Sequence, residues 1–395
     1  MFAPKILHLS TYDAHGGAAR AAIAIHNSLK SAAIDSRMRI AQAGDFRFKL
    51  AKEADRRLWE LQKSKTLTWR SPARFGSISA SEINNSEADV VHLHWVTDGF
   101  LTIESIGQIK KPIVWSLCDA WAFSGAEHYA TNLSGIRSAN GYLRDNRNPE
   151  DSRFDLDRWT WNRKKNNWQN PMLLLPASNW LTQATKASNL MGHWPITQIP
   201  HIVDTNVFIN SNKKSVSDQQ PVILFLASGG IHDTRKGADL MIEALQNPAI
   251  TQRLQVVIVG PRPTFDEEQR LAARLNHDLV FYGEAHGDHE LIKLYSNADI
   301  TMVPSREDNM PIAAMESQSC GTPVVGFRIG GLPDIVEPGV SGYLAEPENT
   351  QDLAQGLVQV LNSHLRDSTR KHAKSTWSPE VIVPQLLAVY ESALS

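Results

Sequence analysis

Two cysteines, Cys118 and Cys320, are all that the 395 residues contain. A disulfide framework is therefore excluded, and the composition suits a reducing compartment. Net charge is nearly absent too: 40 Lys and Arg stand against 42 Asp and Glu, leaving −2. No global field draws such a chain to nucleic acid, and no nucleic-acid partner is expected. No apolar run approaches the length of a membrane-spanning helix. The N-terminus offers only residues 6–9 as an apolar run, which suits a first strand and not a signal peptide. A soluble, cytoplasmic protein is the expectation. Internal repeats, low-complexity tracts and the dinucleotide fingerprint G-x-G-x-x-G are missing as well. What is present is 42% hydrophobic residues, enough for the cores of two domains of ordinary size.

Strand and helix patterns alternate along both halves. Residues 5–9 (KILHL) form a strand, Gly16 and Gly17 a turn, and residues 18–33 an Ala-rich helix. Further strands are expected at 36–40, 89–94, 112–117 and 171–176, with a helix at 179–190 capped by Ser178. Residues 209–220 (INSNKKSVSDQQ) are polar and read as a linker. The alternation restarts at 222–227 and continues through strands at 254–260 and 279–283. An α/β fold of two Rossmann-like domains follows.

The most informative stretch is 298–326. Its start, ADITMV, is short, apolar and β-branched, which suits a buried parallel strand. A polar loop with Glu307 and Asp308 follows. Pro311 suits the first turn of a helix, where its missing N–H has no partner to lose. Gly321 ends that helix, and the next strand begins near Pro323. The helix N-terminus offers free N–H groups and a positive dipole end, a site for an anion such as a phosphate. Asp308 and Glu316, with seven residues between them, would repel a phosphate and suit neutral hydroxyls instead. A ligand carrying both phosphate and sugar would use the whole unit. An acidic surface loop capping an ordinary helix is an equal reading of this stretch alone.

Other candidates surround it. The Gly16-Gly17 turn lets a backbone approach an anion closely, although many strand-to-helix turns carry glycines for steric reasons only. Ser228 to Gly237 is Gly-rich and contains Arg235 and Lys236, which can neutralise a diphosphate; an exposed basic turn is the plainer reading. His92 and His94 share one strand face and could bind a metal. One core His and one lining a cleft is the preferred assignment, because the sequence shows no third ligand. Cys118 is a candidate nucleophile, with His128 as a base brought near in space. Residues 132–168 are rich in charge and tryptophan. The preferred reading is a helix with an aromatic face in the core and a basic face in water. The other is a surface that touches anionic lipid or a lipid-linked pyrophosphate acceptor. Asp155-Leu156-Asp157 is a D-x-D, short enough to arise by chance.

The chain resembles the retaining glycosyltransferases of family 4, the glycosyl transferases group 1, over nearly its whole length. Asp308 and Glu316 match the two acids of that family's E-x7-E region, with Asp for the first Glu. Cys118-Asp119-Ala120-Trp121 resembles H-D-x-W, with Cys for His, and His128-Tyr129 follows as H-Y. Ile199 to Thr205 resembles I-P-N-G-I-D-T, with changes at His201 and Ile202. Gly330-Gly331-Leu332-Pro333-Asp334 resembles G-G-x-P-E. Lys236 matches the lysine of the diphosphate loop, whose usual arginine position holds Gly229 or Gly230, so Arg235 would compensate. Gly16-Gly17-Ala18-Ala19-Arg20 is similar to members that build bacterial surface polysaccharides of the colanic-acid type.

The resemblance implies a GT-B architecture, two Rossmann-like domains facing across a cleft. It implies an acceptor-side domain at 1–205, a linker at 206–220 and a donor domain at 221–377, with a C-terminal helix at 378–395 packing back on the first. It implies a hexosyltransferase-type enzyme that moves a sugar from a UDP- or GDP-sugar to a hydroxyl of a glycan or lipid-linked saccharide, at or near the inner membrane face. No metal cofactor is then required. Donor binding would fall to Gly16, Gly17, Arg235, Lys236, Asp308, Asn309, Met310, Pro311 and Glu316, the last holding ribose. Asp119, His128, Lys236 and Asp308 would be catalytic. His94, Trp95, Cys118 and Trp121 would line the acceptor side. The alternatives are a nucleotide-sugar epimerase or hydrolase of the same architecture, and a non-catalytic nucleotide-sugar-binding homologue.

Overall fold

The structure is a computed structural model and describes residues 4–13, 16–64, 69–129, 132–210 and 220–395, with only the backbone for 132–135. Most of the expected linker, 211–219, lies outside the described residues, as do residues 14 and 15 of the first glycine turn. The chain divides into two compact units: Met1–Pro200 with Ile382–Ser395, and His201–Val381. Residues 201–205, expected to close the first domain, fall in the second unit. The helix Pro379–Leu394 contributes its last thirteen residues to the first.

In chain order the strands are β1 (Ile6–Ser10), β2 (Ser36–Ile40), β3 (Gln62–Lys63), β4 (Val90–Leu93), β5 (Ile113–Leu117), β6 (Ser152–Arg153) and β7 (Leu173–Pro176) in the first unit. The second unit holds β8 (Val222–Leu226), β9 (Gln255–Val259), β10 (Asp278–Gly283), β11 (Ile300–Val303), β12 (Val324–Phe327) and β13 (Gly342–Ala345). The first sheet runs β2-β1-β4-β5-β7 and the second β10-β9-β8-β11-β12-β13, all parallel. β3 and β6 form a separate antiparallel pair. Helices cover the sheet faces, so the central strands are buried throughout: β4, β5, β11 and β12 show no exposed residue. That is why these strands read as continuous apolar runs and not as alternation.

The strand order reverses between β1 and β4 in one unit and between β8 and β11 in the other. Loops leaving the carboxyl ends of those strands diverge there and open a crevice, where α/β sheets bind ligands. The candidate residues sit at these points. Gly16 is the N-cap of the helix Gly17–Ser31 with φ 86°, a left-handed value that requires glycine; Gly17 is not so constrained.

Residues 132–168 depart from the single two-faced helix. They form helices Asn132–Asn140 and Leu156–Asn167 with β6 between. Trp161 and Trp168 are buried as expected, but so is Lys164. Its ammonium donates to three carbonyls, Trp121 O, Ser124 O at 3.1 Å and Gly125 O at 2.7 Å. Arg163 pairs with Glu104 and donates to Pro72 O and Ala73 O; Arg158 donates to Tyr142 O; Arg147 donates to Ser152, Arg153 and Phe154 carbonyls. These cations hold loops rather than face water. The D-x-D is likewise internal: Asp155 caps the helix at Arg158 N, and Asp157 accepts from Arg70 and Gln62. Among the described residues no helix is long and apolar enough to cross a membrane.

Candidate functional site

In the second unit, β11 delivers Ser305 to Pro311 at its carboxyl end, and the helix Ile312–Ser319 follows. Pro311 is the N-cap, one place before the expected first turn. Cys320 caps the C-terminus and Gly321 takes φ 78°, the left-handed residue that stops the helix. The loop 228–237 leaves β8 beside it in two short 3-10 turns, Gly230–His232 and Thr234–Lys236. Lys236 Nζ lies 2.5 Å from Asp308 Oδ2, and Arg235 Nη1 lies 3.8 Å from the same oxygen. Arg235 also donates to Glu307 O at 3.1 Å and to Asp233 at 3.3 Å. Burial works against the charge on Asp308, but the Lys236 ammonium and the Arg235 guanidinium outweigh it and hold its carboxyl below the usual range. His201 lies close by; burial pushes its imidazole down to about 4, with Asp308 pulling the other way.

Asn309 and Met310 are buried in this loop. Glu316 is buried on the helix and accepts a hydrogen bond from Tyr295 Oη at 2.9 Å. The loop is fixed from below by backbone. Gly331 N donates to Asp308 O at 3.1 Å. Gly330, at φ 50°, lies so close that an added Cβ would stand 1.8 Å from Asp308 O. Gly237 is equally tight, its Cβ position falling 1.9 Å from Pro304 O. Gly330→Ala is therefore expected to shift Asp308 without touching any ligand-facing group. The left-handed strain alone costs about 1–2 kcal/mol. Calorimetric titration should show anion or nucleotide binding weakened at least tenfold; unchanged binding would show that the loop tolerates the shift.

In the first unit the candidate residues gather at the ends of β1, β4 and β5. Tyr12, Trp95, His128 and Trp121 form a row of rings with successive centroids 5.7, 5.3 and 6.2 Å apart. Asp119 is the polar centre. Its Oδ2 accepts from His128 Nδ1 at 2.6 Å and Trp95 Nε1 at 3.0 Å, and its Oδ1 from Trp121 N at 2.9 Å. His128 Nε2 bonds Ser71 Oγ at 2.8 Å. His128 is 2% exposed and Asp119 17%, so the carboxylate is the accessible member and the imidazole stands behind it. Both ring nitrogens being engaged, His128 is not available as a base for Cys118. Burial, then Asp119, push the Cys118 thiol up, and the nucleophile assignment fails on both counts. His94, Trp95, Cys118, Asp119, Trp121 and His128 line one small cavity.

Ser71 and the triple Tyr12–Lys52–Asp98 were not read from the sequence. Lys52 Nζ lies 2.7 Å from Tyr12 Oη and 2.8 Å from Asp98 Oδ2, and Tyr12 donates to Asp98. Asp98 takes φ 59°, uncommon for a non-glycine residue. The partners are dozens of residues apart, and no local pattern joins them.

The third imidazole beside His92 and His94 exists: His8 stands opposite His92 in the β1–β4 register. The signal was present, since both strands carry His just before Leu in an apolar run. Four of the six nitrogens have protein partners, whereas His8 Nε2 is buried without a hydrogen-bond partner among the described residues. His92 contacts Tyr390 Oη at 2.7 Å and Ser116 Oγ at 2.8 Å, and His8 Nδ1 contacts His94 Nε2 at 2.9 Å. The His92 and His94 rings stack with centroids 4.3 Å apart, and one nitrogen from each of the three imidazoles lies within 4.8 Å of the others. Burial drives the His8 and His92 imidazoles well below their ordinary value, with the neighbouring imidazoles adding to it. Their stabilising contribution is complete above about pH 6.5, where both states are neutral. It falls as pH drops below that value, because only the unfolded chain takes up the protons. Each contributes a slope of about 1.4 kcal/mol per pH unit. Asp55, pushed up to about 6 by burial, works in the opposite sense below pH 6. Melting curves of wild type and His8→Gln between pH 7.5 and 5.5 should show a shallower acid loss in the variant; parallel curves would contradict this.

Two parallel-sheet units of this kind define the GT-B class of fold, and solved structures of that class superpose on nearly all of the chain. A glycosyltransferase from Rickettsia africae aligns with TM-score 0.64 at 15% identity, covering 100% of this chain and 99% of its own. Anabaena HepE, solved in complex with UDP and glucose, aligns with TM-score 0.61 at 17% identity, covering 98% and 100%. Residues 207–376 match the family described as "Glycosyl transferases group 1", which takes in nearly all of the second unit. A D-inositol 3-phosphate glycosyltransferase of Geodermatophilus obscurus is 36% identical over 191 residues, 45% of this chain and 42% of that protein. The chain thus spans about half the length, or less, of the curated relatives it matches, and the family match takes in none of the first unit.

Proposed function

We propose that the chain is a retaining glycosyltransferase that moves a sugar from a nucleoside-diphosphate sugar to a hydroxyl of a glycan or lipid-linked saccharide in bacterial surface-polysaccharide synthesis. The observation that carries this is the second unit's switch point. Lys236, Arg235 and the first N–H groups of the helix Ile312–Ser319 are set beside two buried carboxylates, Asp308 and Glu316. Cations and helix dipole suit a diphosphate that gains charge as it departs. The carboxylates suit ribose and sugar hydroxyls. The family match over 207–376 supports the same reading, and the UDP and glucose held by Anabaena HepE make UDP-glucose the first donor to test.

The acceptor falls to the first unit. Asp119, fixed by three donors, holds an acceptor hydroxyl, and the half-buried, stacked Tyr12 and Trp95 rings offer apolar surface of the kind sugars pack against. Asp119, already accepting from three donors, orients the hydroxyl, and the donor's own phosphate oxygen takes the proton. Contact with the inner membrane face is assigned to the helix Phe46–Trp59. There, exposed Phe46 and Leu50 lie among exposed Arg47, Lys49 and Arg57.

The test is consumption of UDP-glucose, UDP-galactose and GDP-mannose with and without a panel of glycan and lipid-linked acceptors, read by released nucleoside diphosphate. Release that depends on an acceptor supports transfer. Release of free sugar without one points to a hydrolase, and interconversion of the donor sugar to an epimerase. Binding without turnover of any donor leaves a nucleotide-sugar-binding protein.

A further inference from the structure

We propose that the Lys236–Asp308 ion pair makes the donor site discriminate in favour of a nucleoside-diphosphate sugar over the bare nucleoside diphosphate that transfer leaves behind. The inference rests on the proposed function and concerns the same site. Its starting point is that two groups assigned to different parts of one ligand are bound to each other in the unliganded chain. The ammonium of Lys236 is assigned to the diphosphate and the carboxylate of Asp308 to the sugar, yet they lie 2.5 Å apart, with side chains only 19% and 13% exposed.

A diphosphate that draws Lys236 to itself takes the nearest cation from Asp308. The carboxylate cannot follow. Its backbone is pinned by the hydrogen bond from Gly331 N and by contact with Gly330, and the Asp side chain is short. What remains around it is weak. Arg235 is 3.8 Å away and already donates to Glu307 O and Asp233. Ser305 Oγ stands at 3.5 Å, the outer limit of a hydrogen bond. His201, buried beside it, is held neutral. A carboxylate left this way in a buried site is costly. The sugar of an intact donor changes the outcome. Its hydroxyls are donors, and they replace Lys236 at Asp308 while the phosphates replace Asp308 at Lys236. The full donor therefore exchanges one pair for two satisfied groups, and the bare nucleotide satisfies one and strands the other. The consequence is weak product inhibition and fast release of the spent nucleotide.

The test is isothermal titration of the full chain with UDP and UDP-glucose, and with GDP and GDP-mannose, for wild type, Asp308→Asn and Asp308→Ser. Replacing the charge by a neutral group removes the cost of stranding it. The expected result is nucleoside-diphosphate binding at least tenfold tighter in both variants, with nucleotide-sugar binding unchanged or weaker. The ratio of the two dissociation constants should then fall at least tenfold. In the background of Lys236→Met, Asp308→Asn should no longer tighten nucleotide binding, because no pair is left to break. Equal shifts for both ligands, or weaker nucleoside-diphosphate binding in both variants, would overturn the inference and leave the proposed function standing. Absence of binding by either nucleotide pair to the wild type would overturn the proposed function, and this inference with it.

Discussion

Lys236→Met is expected to lower turnover of the nucleoside-diphosphate sugar by 10²- to 10³-fold, the scale seen when one preorganised group that stabilises developing charge is removed. In the proposed reaction the departing diphosphate gains negative charge, and among the described residues Lys236 on the loop 228–237 is the ammonium nearest Asp308. Arg235, at 3.8 Å from the same carboxylate, is tied to Glu307 O and Asp233 and is placed to compensate only in part. The loss should appear in both KM and kcat, since the bound diphosphate is already charged and the charge Lys236 answers is largest in the transition state. A variant whose kcat is unchanged while KM rises would make Lys236 a ground-state contact. A variant with wild-type kinetics would remove it from the site.

Lys164→Met is expected to produce the largest loss of stability. The ammonium is fully buried, donates to the carbonyls of Trp121, Ser124 and Gly125, and lies 3.8 Å from the centre of the Trp121 ring. Burial pushes its pKa well down, while Glu127, Asp119 and Asp157 pull the other way. Burial in turn pushes the Glu127 carboxyl up, with Asp157 adding to it. Removing the ammonium leaves three buried carbonyls without their donor, a loss of about 3–5 kcal/mol. In a unit of this size that lowers Tm by roughly 10 °C. The segment 121–125 that Lys164 holds lies between Asp119 and His128, so residual folded protein should also lose acceptor-dependent turnover. A melting curve unchanged within 2 °C, or about half a kcal/mol, would show that the network supports itself without the cation.

The sequence exposes the loop and helix after β11 well because their signals are local. A β-branched run, an acidic loop, a proline at the helix start and Gly321 in a left-handed C-terminal position follow one another within 24 residues, from Ile300 to Pro323. The parallel sheets were legible for a related reason: strands buried on both faces are continuously apolar, as in PIVWSL and DVVHLH. The pairings across the chain were not. Ser71 meets His128 over 57 intervening steps of sequence, and His8 meets His94 over 86. Nothing in R-K-K-N-N tells which lysine turns inward; the helix phase and the position of Trp121 decide it. The helix Arg366–Trp377 was overlooked for its charge. Only Thr369, Ala373 and Trp377 are buried on it, one residue per turn, too thin a stripe to stand out from the sequence.

Two expectations changed meaning once placed in space. His128 is a buried support for Asp119 rather than an accessible acid or base. Arg147, Arg158, Arg163 and Lys164 anchor the loops of the first unit, while Arg144, Arg153 and Lys165 are exposed. Both changes follow from unfilled hydrogen-bonding capacity: a buried carbonyl or carboxylate must find a donor, and the long cationic side chains nearby supply it.

The measurement that bears most directly on the central claim is a thermal-shift panel of UDP, GDP, ADP and their sugar conjugates on wild type and Lys236→Met. A ligand that binds only the folded chain raises its Tm by mass action. The account predicts that one nucleotide and its sugar conjugate stabilise the wild type, and that the shift is lost or much reduced in Lys236→Met. A folded wild type that none of the nucleotides stabilises would contradict it.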